Sequence, residues 1–415
     1  MVLVNGLEVF AETAGGARAL SSHRYAGGVL HPDGAGRIAA FTAEPWPTWR
    51  YVLEDGTTIV QEVLVAPGAA RVLVRWTRAE GSGAARLWVR PLLSGRDHHA
   101  LHRENPGFRF AAEEAGSTVS WRPYPGVPAI EACSNGVYRH APDWYRAFVY
   151  DEEAARGLGG VEDLASPGEL GFDLARGPAV LVLAAGDGAH GGGARGARPS
   201  ADPLALAGEL AAAEAARRGG LASPLHRAAG AYLVARGEGR TVVAGYPWFT
   251  DWGRDTFISV RGLCLARGRV AEGREVALTW ARLLSQGMLP NRFPESGAAP
   301  EYNSVDSALW FAVAVGDLLG VADAGTAAQD RLLREAVLAV VASYAAGTRS
   351  DIRCEPDGLL ACGEQGTQLT WMDAAVAGTP VTPRVGKPVE VQALWANALA
   401  VAAAIDPRWA GPLLR

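Results

Sequence analysis

The first part of the chain alternates hydrophobic and polar positions over short segments that turn residues bound. Segments rich in Val, Thr and aromatic residues predict strands; they are RIAAFTA (37–43), TTIVQEVLVA (57–66), RVLVRWT (71–77), ARLWVRPL (85–92) and STVSWRP (117–123). The dipeptide Asn135-Gly136 lies between two further apolar segments and predicts a tight hairpin. Many short strands without a long helical pattern between them predict an antiparallel β-sandwich over residues 1–185.

A Gly- and Ala-rich segment, residues 186–222, interrupts this pattern. It begins GDGAHGGGARGARPSADP and continues as an Ala-rich stretch that is compatible with a short helix. Clustered glycine and a low apolar content are typical of a connection between domains. The sequence therefore predicts a domain boundary here, with residues 186–222 as a linker.

From residue 223 the hydrophobic positions recur every three to four residues, which is the period of an amphipathic helix. The predicted helices are 225–236, 255–267, 270–286, 304–320, 328–346 and 388–405. Antiparallel helix pairs joined by long loops are the unit of an (α/α)6 toroid, and such a pair needs neighbours to bury its apolar faces. Residues 223–415 are thus predicted to form three pairs, about half of the helical hairpins of such a toroid.

Composition narrows the classes of function. Hydrophobic residues make up 49% of the 415 positions, and the formal net charge is −5. No basic stripe is present to neutralise phosphates, so a nucleic-acid partner is not expected. No apolar run reaches membrane-spanning length and no leader pattern opens the sequence, so a membrane is not expected either. Four cysteines are too few for a disulfide framework and favour a reducing cytoplasm, with a Cys354–Cys362 bridge as the alternative.

All eight histidines lie at or before His226, so the helices and loops after it contain none. A Ser-His-Asp or Cys-His catalytic arrangement and a histidine-bearing zinc site are therefore excluded from that region. Carboxyl groups are left for acid–base chemistry. His98, His99 and His102 are close in sequence, but no further ligand is obvious, so hydrogen-bonding loop histidines are favoured and no metal or cofactor is expected.

Three loops place carboxylates among aromatic and planar polar residues; they are AGYPWFTDWGRDTF (244–257), PNRFPESGAAPEYNSVDSALWF (290–311) and GEQGTQLTWMDA (363–374). Sugars bind to such mixtures because their C–H faces stack on rings while their hydroxyls bond to planar polar groups. Glycoside hydrolysis needs two carboxyl groups, one protonated and one ionised. One end of a toroid would gather the three loops into one cavity.

Simpler interpretations of these carboxylates stay open. Asp251 and Asp255 are candidate caps for a helix that begins near Thr256. Asp306 is a candidate helix-terminus charge, since Asp is favourable in a first turn. Asp373 is a candidate turn residue in its Trp-Met-Asp loop.

Together these motifs are specific enough to resemble a family. The runs AGYPWFTDWGRDTFIS, GMLPNRF, PEYNSVDSALWF, QLTWMDA and VTPRVGKPVE resemble, in this order, the amylo-α-1,6-glucosidase domain of glycogen debranching enzymes. The runs RPLLSGRD, RENPGFRF, WRPYPGVPAI and PDWYRAF resemble the β-sandwich that precedes this domain in bacterial members. The resemblance implies a β-sandwich followed by an (α/α)6 toroid. It also implies an inverting glycoside hydrolase of glycogen catabolism, which removes α-1,6-linked glucose from branch points of glycogen or related α-glucans.

The resemblance carries roles onto single residues. Asp373 of TWMDA matches the family's general acid. The residues implied in holding the glucosyl unit are Trp252, Arg254, Asp255, Asn303, Asp306 and Trp371. Glu390 of KPVE falls at the start of a predicted helix and is interpreted as a substrate or loop-positioning contact.

Two departures from the family pattern qualify this interpretation. The Gly-rich strand region that normally opens the sandwich is missing, and the sequence begins MVLVNGLEVF. Family members also continue through six more helices, and the general base is expected on a loop among them, beyond Arg415. We therefore expect a chain truncated at both ends. Residues 1–415 alone are expected to be catalytically inactive, because the base is missing, and only marginally stable, because a toroid with half of its helical pairs leaves the predicted helices 225–236 and 388–405 without their neighbours.

Two alternative functions stay open beside the debranching glucosidase. One is a truncated, non-catalytic protein that binds α-glucans such as glycogen and branched dextrins. The other is a different (α/α)6 glycosidase related to glucoamylase or trehalase, which the WGRD and YNSVD loops disfavour.

Overall fold

The computed structural model forms two compact units, Met1–Ala222 and Ser223–Arg415. It describes residues 1–186, 202–221, 223–246, 248–293, 299–321 and 325–413. Part of the segment that the sequence predicts to be a linker, residues 187–201, lies outside these ranges. The remainder of that segment, up to Ala222, belongs to the first unit.

The described part of the first unit contains fifteen strands and two α-helices, besides short 3-10 turns. The helices are α1 (Asp151–Ala155) and α2 (Pro203–Gly219). The strands are β1 (Val2–Thr13), β2 (Gly16–Ala19), β3 (Arg24–Tyr25), β4 (Val29–Leu30), β5 (Ile38–Thr42), β6 (Thr48–Val52), β7 (Thr58–Val65), β8 (Arg71–Arg78), β9 (Ala85–Arg96), β10 (Ala112–Ala115), β11 (Thr118–Trp121), β12 (Ile130–Ser134), β13 (Val137–Val149), β14 (Val161–Asp173) and β15 (Ala179–Ala185).

These strands form two antiparallel sheets with one shared core. One sheet has the order β2-β1-β9-β14-β13-β3-β4, and the other has the order β10-β11-β12-β15-β8-β7-β6-β5. Alternate residues of both sheets enter a single apolar cluster, which includes Leu87 and Val89 of one sheet and Val74, Trp76 and Leu181 of the other. Alternating side chains therefore pack face to face, which confirms the predicted antiparallel β-sandwich.

Helix α2 covers the outer face of the eight-stranded sheet. Asp202 caps it by accepting from the Leu204 N–H, and Ala207 packs with Val180 and Val182 of β15. Because both faces of β15 are covered, its sequence AVLVLAA is apolar without alternation. The Ala-rich stretch of the predicted linker is thus an ordered helix that extends the core of the first unit.

The hairpin predicted at Asn135-Gly136 is wrong. Strand β12 pairs with β11 and β15, whereas β13 pairs with β14 and β3, so the dipeptide connects the two sheets. The Asn135 side chain donates to the Pro178 carbonyl at 2.8 Å and accepts from the Val180 N–H at 2.9 Å. A Cβ at Gly136 would lie 2.6 Å from the Phe172 ring. Glycine is needed here for close packing, and this dipeptide does not form the two-residue turn that its sequence favours.

The described part of the second unit contains seven α-helices and three short hairpins, besides short 3-10 turns. The helices are α3 (Pro224–Ala231), α4 (Gly253–Leu263), α5 (Val270–Ala281), α6 (Asp306–Leu319), α7 (Ala327–Ala346), α8 (Val389–Ile405) and α9 (Ala410–Leu413). The hairpin strands are β16 (Leu233–Arg236), β17 (Gly239–Val242), β18 (Arg353–Cys354), β19 (Leu360–Ala361), β20 (Ala375–Val376) and β21 (Thr379–Pro380). None of the helices that the structure describes is long and apolar enough to span a membrane.

The longer helices form two layers. Helix α6 lies between α4 and α8 in one layer, while α5 and α7 lie side by side in the other. The Phe257 ring of α4 joins the layers through an edge-to-face contact with Trp280 of α5, with centroids 5.5 Å apart, and it meets Phe311 of α6 in its own layer at 5.1 Å. Consecutive helices along the chain, from α4 to α8, therefore alternate between the two layers. Consecutive pairs of an α/α toroid are arranged in this way, which confirms the predicted fold class.

The first predicted helix, 225–236, is wrong in its second half. Helix α3 ends at Ala231, and the chain turns at Gly237, whose φ of 55° lies in the left-handed region. Leu233 then pairs with Val242 in the β16–β17 hairpin. Residues 233–236 therefore pair as a strand, which buries Leu233, and α3 does not join the two helical layers.

The close approach at Gly136 generates a prediction for stability. Replacing Gly136 with Ala is expected to lower the free energy of unfolding by about 1–3 kcal/mol, since the added methyl group must displace the buried Phe172 ring. Urea denaturation measures this change. The matched control is Gly6→Ala in β1, where a Cβ meets no atom within 4 Å; an equal loss in both variants would contradict the packing explanation.

Candidate active site

The predicted site residues gather around the N-terminal ends of the three helices of one layer. Arg254 and Asp255 lie in the first turn of α4, Asp306 is the first residue of α6, and Glu390 lies in the first turn of α8. Helix N-termini carry a partial positive charge and unpaired N–H groups, which favour carboxylates and polar ligands. The packing of α4, α6 and α8 therefore brings sequence-distant polar residues together.

Glycine at position 253 allows α4 to begin close to α6. A Cβ at Gly253 would lie 2.5 Å from the Pro290 carbonyl oxygen and 2.8 Å from the Ser307 Oγ. The Gly253 N–H donates to the Asn291 carbonyl at 2.8 Å. Only a residue without a side chain fits at this contact, which explains the glycine of the WGRD motif.

A buried ion pair joins the starts of α4 and α6. The Arg254 Nη1 donates to the Asp306 Oδ2 at 2.9 Å, and the Asp306 side chain is 3% exposed. Ser304 donates its hydroxyl proton to the other carboxylate oxygen and accepts from the Ser307 N–H at 3.1 Å. Asp306 is therefore more than a charge in a first helical turn, because it fixes the guanidinium of Arg254.

The loop that carries Asp373 is tied to the same place. The Val305 N–H donates to the Leu369 carbonyl at 2.8 Å, which joins the start of α6 to this loop. The Arg254 Nη2 lies 3.8 Å from the Asp373 Oδ2, and the Asp373 side chain is 38% exposed. Arg254 thus contacts two carboxylates at once, one buried and one accessible to a ligand. Asp373 is not only a turn residue.

Aromatic residues precede two members of the arginine and carboxylate cluster by two positions, Trp252 before Arg254 and Trp371 before Asp373. Half-buried Trp252 meets the Phe249 ring edge-on with centroids 6.5 Å apart, and the guanidinium of Arg292 lies 5.7 Å from the Trp252 ring centroid. Arg292 is held in turn by two bonds to Glu301, both 2.8 Å long. Trp371 is 53% exposed. Rings and planar polar groups, the combination that suits a sugar, therefore stand beside Asp373 and Arg254.

Other predicted residues have different surroundings. Asp251 does not cap α4, whose N-cap is Trp252 without a side-chain bond; it is buried and accepts from Arg236 at 2.9 Å. Asp255 does not cap the helix either, and its side chain is exposed. Asn303 is exposed in the loop before α6. Both stay predicted substrate contacts, and the ion pairs of Arg254 do not include them.

Glu390 contacts an arginine that the sequence did not single out. The Arg384 Nη2 donates to the Glu390 Oε1, and its Nη1 lies 3.6 Å from the Sδ of Met372, the residue before Asp373. Arg384 stood within the motif VTPRVGKPVE, but no spacing rule joins it to Met372, twelve positions earlier. The contact depends on how the loops fold over α8.

The cysteines and histidines fall outside this chemistry. None of the four cysteines, all within the described ranges, forms a disulfide, so the alternative Cys354–Cys362 bridge is absent from the described residues. Burial raises the pKa of the Cys362 thiol to about 11. The Nδ1 of His102 bonds to the Asp163 carbonyl at 2.8 Å and its Nε2 to the Tyr124 hydroxyl at 2.7 Å, which confirms a hydrogen-bonding histidine. The nearest arrangement to a metal site among the described residues is Asp97, His98 and His99, whose ligand atoms lie within 4.8 Å of one another.

A β-sandwich followed by layered helix pairs, with acidic and aromatic loops at the helix N-termini, defines a two-domain protein of α/α-glycosidase architecture. A solved structure of bacterial glucoamylase complexed with acarbose shares the fold, at a TM-score of 0.55 and 12% identity over 99% of this chain and 60% of that chain. The family model "Glycogen debranching enzyme N terminal" matches residues 1–181, and "Amylo-alpha-1,6-glucosidase" matches residues 227–410.

The chain belongs to the glycogen debranching enzyme family, as the motifs indicated. A curated relative, the glycogen debranching enzyme of Saccharomyces cerevisiae, is 27% identical over 38% of this chain and 14% of its own length. The chain thus spans a small part of the yeast relative and 60% of the glucoamylase chain.

The buried ion pair generates a prediction for stability. Arg254→Met leaves the Asp306 carboxylate buried with Ser304 as its remaining partner, so the free energy of unfolding is expected to fall by about 3–5 kcal/mol. Arg261→Met on the same helix is the matched control, because its 2.6 Å pair with Asp317 is exposed and such pairs contribute at most about 1 kcal/mol.

Urea denaturation of both variants measures the difference. Adding Asp306→Leu to Arg254→Met is expected to recover part of the lost stability, because the unpaired charge is then removed. Equal losses of unfolding free energy for Arg254→Met and Arg261→Met would show that the Arg254–Asp306 pair is no stronger than the exposed Arg261–Asp317 pair.

Proposed function

We propose that the intact protein is an amylo-α-1,6-glucosidase that removes single α-1,6-linked glucose units from glycogen or branched dextrins by inversion. The observation that carries this proposal is the placement of Asp373, whose accessible carboxyl stands beside an arginine that a buried aspartate fixes. The family models and the named activity of the yeast relative support the same substrate class.

In the proposed reaction Asp373 gives its proton to the glycosidic oxygen as the bond from that oxygen to C1 breaks. A water molecule attacks C1 from the opposite face and loses a proton to a second carboxylate. The products are free glucose and a chain with a restored 6-hydroxyl. Trp252 and Trp371 would stack on the sugar, while Arg254 would bond to its hydroxyls together with Asp255 and Asn303. Asp306, predicted from the sequence as a sugar contact, is buried and would act by holding Arg254.

The second carboxylate has no assigned residue among residues 1–415. No motif of these residues matches the family's base, and Glu390 is paired with Arg384. We therefore propose that residues 1–415 alone bind branched α-glucan without cleaving it. The water would lie between Asp373 and the base, which need a separation of roughly 6.5–9.5 Å for inversion.

The first prediction of this proposal concerns stereochemistry. The intact protein is expected to release glucose from a 6-α-glucosyl-branched dextrin, first as the β-anomer, because water attacks the face opposite the bond that breaks. NMR at early times measures the anomer. A linear α-1,4 oligosaccharide is the control substrate and should react far more slowly; initial α-glucose would rule out inversion.

The second prediction concerns the proton donor. Asp373→Asn in the intact protein is expected to lower kcat for the branched dextrin by about 10²–10⁴-fold, because the amide cannot donate the proton. The dissociation constant for the dextrin, measured by calorimetry, should change little. Asp317→Asn removes an exposed carboxylate of α6 and serves as the control. A variant of Asp373 with more than a tenth of the wild-type kcat would refute the assignment.

A further inference from the structure

The tip of the loop before β20 is held at two successive residues by two different arginines. Arg254 of α4 reaches the Asp373 carboxylate, and Arg384 reaches the Met372 sulfur. Inside the loop, the Gln368 side-chain amide donates to the Ala374 carbonyl at 2.8 Å, which fixes the main chain after the tip. The side chains at 372 and 373 are therefore oriented by partners outside the loop.

Two contacts fix the orientation of the Arg384 side chain. One end of its guanidinium donates to Glu390, and the other end contacts Met372. Its side chain is 22% exposed, and its Nε is buried without a hydrogen-bond partner among the residues that the structure describes. A planar guanidinium can span two partners in a fixed geometry, which a lysine ammonium cannot do.

Backbone hydrogen bonds and ion pairs hold the segment that carries Arg384 in place. Gly386 and Cys362 exchange two backbone hydrogen bonds of 2.8 and 2.9 Å. Lys387, the one lysine of the sequence, pairs with Glu355 at 2.7 Å and also with Asp357. Glu390 sits in the first turn of α8, so its backbone belongs to a helix that packs on α6.

The buried Cys362 thiol is affected by charges of both ion pairs. Its pKa is raised to about 11, mainly by burial, with the carboxylates of Glu390 and Asp306 adding to the rise and the Arg384 guanidinium opposing it. Asp306 and Glu390 therefore both act on one buried group.

We propose that Arg384 is a positioning residue for Asp373, acting through Met372, and that Glu390 anchors Arg384 and does not bind the glucosyl unit. This inference rests on the proposed function, in which Asp373 is the proton donor. A misplacement of about 1 Å in reacting groups can lower a rate about 10²-fold. A support that fixes the residue beside the acid can therefore govern catalysis without touching the substrate.

The test compares two substrates of the intact protein that differ in their need for an acid. Hydrolysis of a 6-α-glucosyl-branched dextrin needs a proton on the leaving oxygen, whereas fluoride leaves α-glucosyl fluoride with little such help. Arg384→Met is expected to lower kcat for the dextrin about 10–10²-fold with KM within about threefold. The same variant should lower kcat for α-glucosyl fluoride by less than about threefold.

Lys387→Met is the matched control. Lys387 fastens the same segment to the β18–β19 hairpin but contacts neither Met372 nor Asp373 in its ion pairs. The Lys387→Met variant should lower kcat for both substrates by the same small factor. If Arg384→Met lowers kcat equally for the two substrates, Arg384 has a general structural role. If it raises KM and leaves kcat unchanged, Arg384 contacts the substrate. Either result overturns the proposal.

Two milder variants keep the test decisive if Arg384→Met folds poorly. Met372→Leu conserves volume but removes the sulfur that Arg384 contacts. It should lower kcat for the dextrin about 2–10-fold and leave kcat for α-glucosyl fluoride nearly unchanged. Glu390→Gln should likewise lower kcat for dextrin and leave KM unchanged, whereas a glucosyl ligand would raise KM. A Met372→Leu variant with wild-type kcat on both substrates would also overturn the proposal.

The two proposals fail in different ways. If the wild-type protein hydrolyses α-glucosyl fluoride but not the branched dextrin, the proposed debranching activity is wrong and the role of Arg384 falls with it. If the wild-type protein cleaves both substrates and Arg384→Met affects them equally, the debranching activity stands and only the positioning role is wrong.

Discussion

The ion pair between Arg254 and Asp306 is the interaction on which the candidate site depends. A buried carboxylate is costly unless a charge and hydrogen bonds satisfy it, and Arg254 with Ser304 does this for Asp306. The same guanidinium then presents its second nitrogen to Asp373. Because each arginine nitrogen has a fixed direction, burying one pair also determines where the loop acid stands.

This pair is possible because two helices approach closely at their N-termini. Gly253 allows the start of α4 to contact Pro290 and Ser307, and Val305 ties the start of α6 to Leu369 in the loop that carries the acid. Backbone contacts thus set the distances, and side-chain charges then select the geometry. The loops are long and polar, but the residues that matter most are attached to helices or bonded to them.

Three segments were wrongly predicted because contacts elsewhere in the fold override their local sequence patterns. Asn135-Gly136 has the composition of a hairpin turn, yet its strands belong to different sheets, and its glycine is needed next to Phe172. Residues 233–236 continue a helical pattern, but a turn at Gly237 lets them pair as a strand. Asp251 has the position of a helix cap and is instead a buried partner of Arg236. In each case pairing or packing with another segment outweighs the preference of the segment itself.

The sequence by itself determined the order of a β-sandwich and paired helices, since hydrophobic periodicity depends on which faces must be buried. It also determined the family and the loops that carry Asp373, Arg254 and Asp306, because unusual residue combinations are visible without a structure. Only the tertiary structure decided that Arg254 joins two carboxylates and that Arg384 joins Glu390 to Met372. Those contacts connect residues on separate loops, and no periodicity along the chain encodes a distance across the ends of three packed helices.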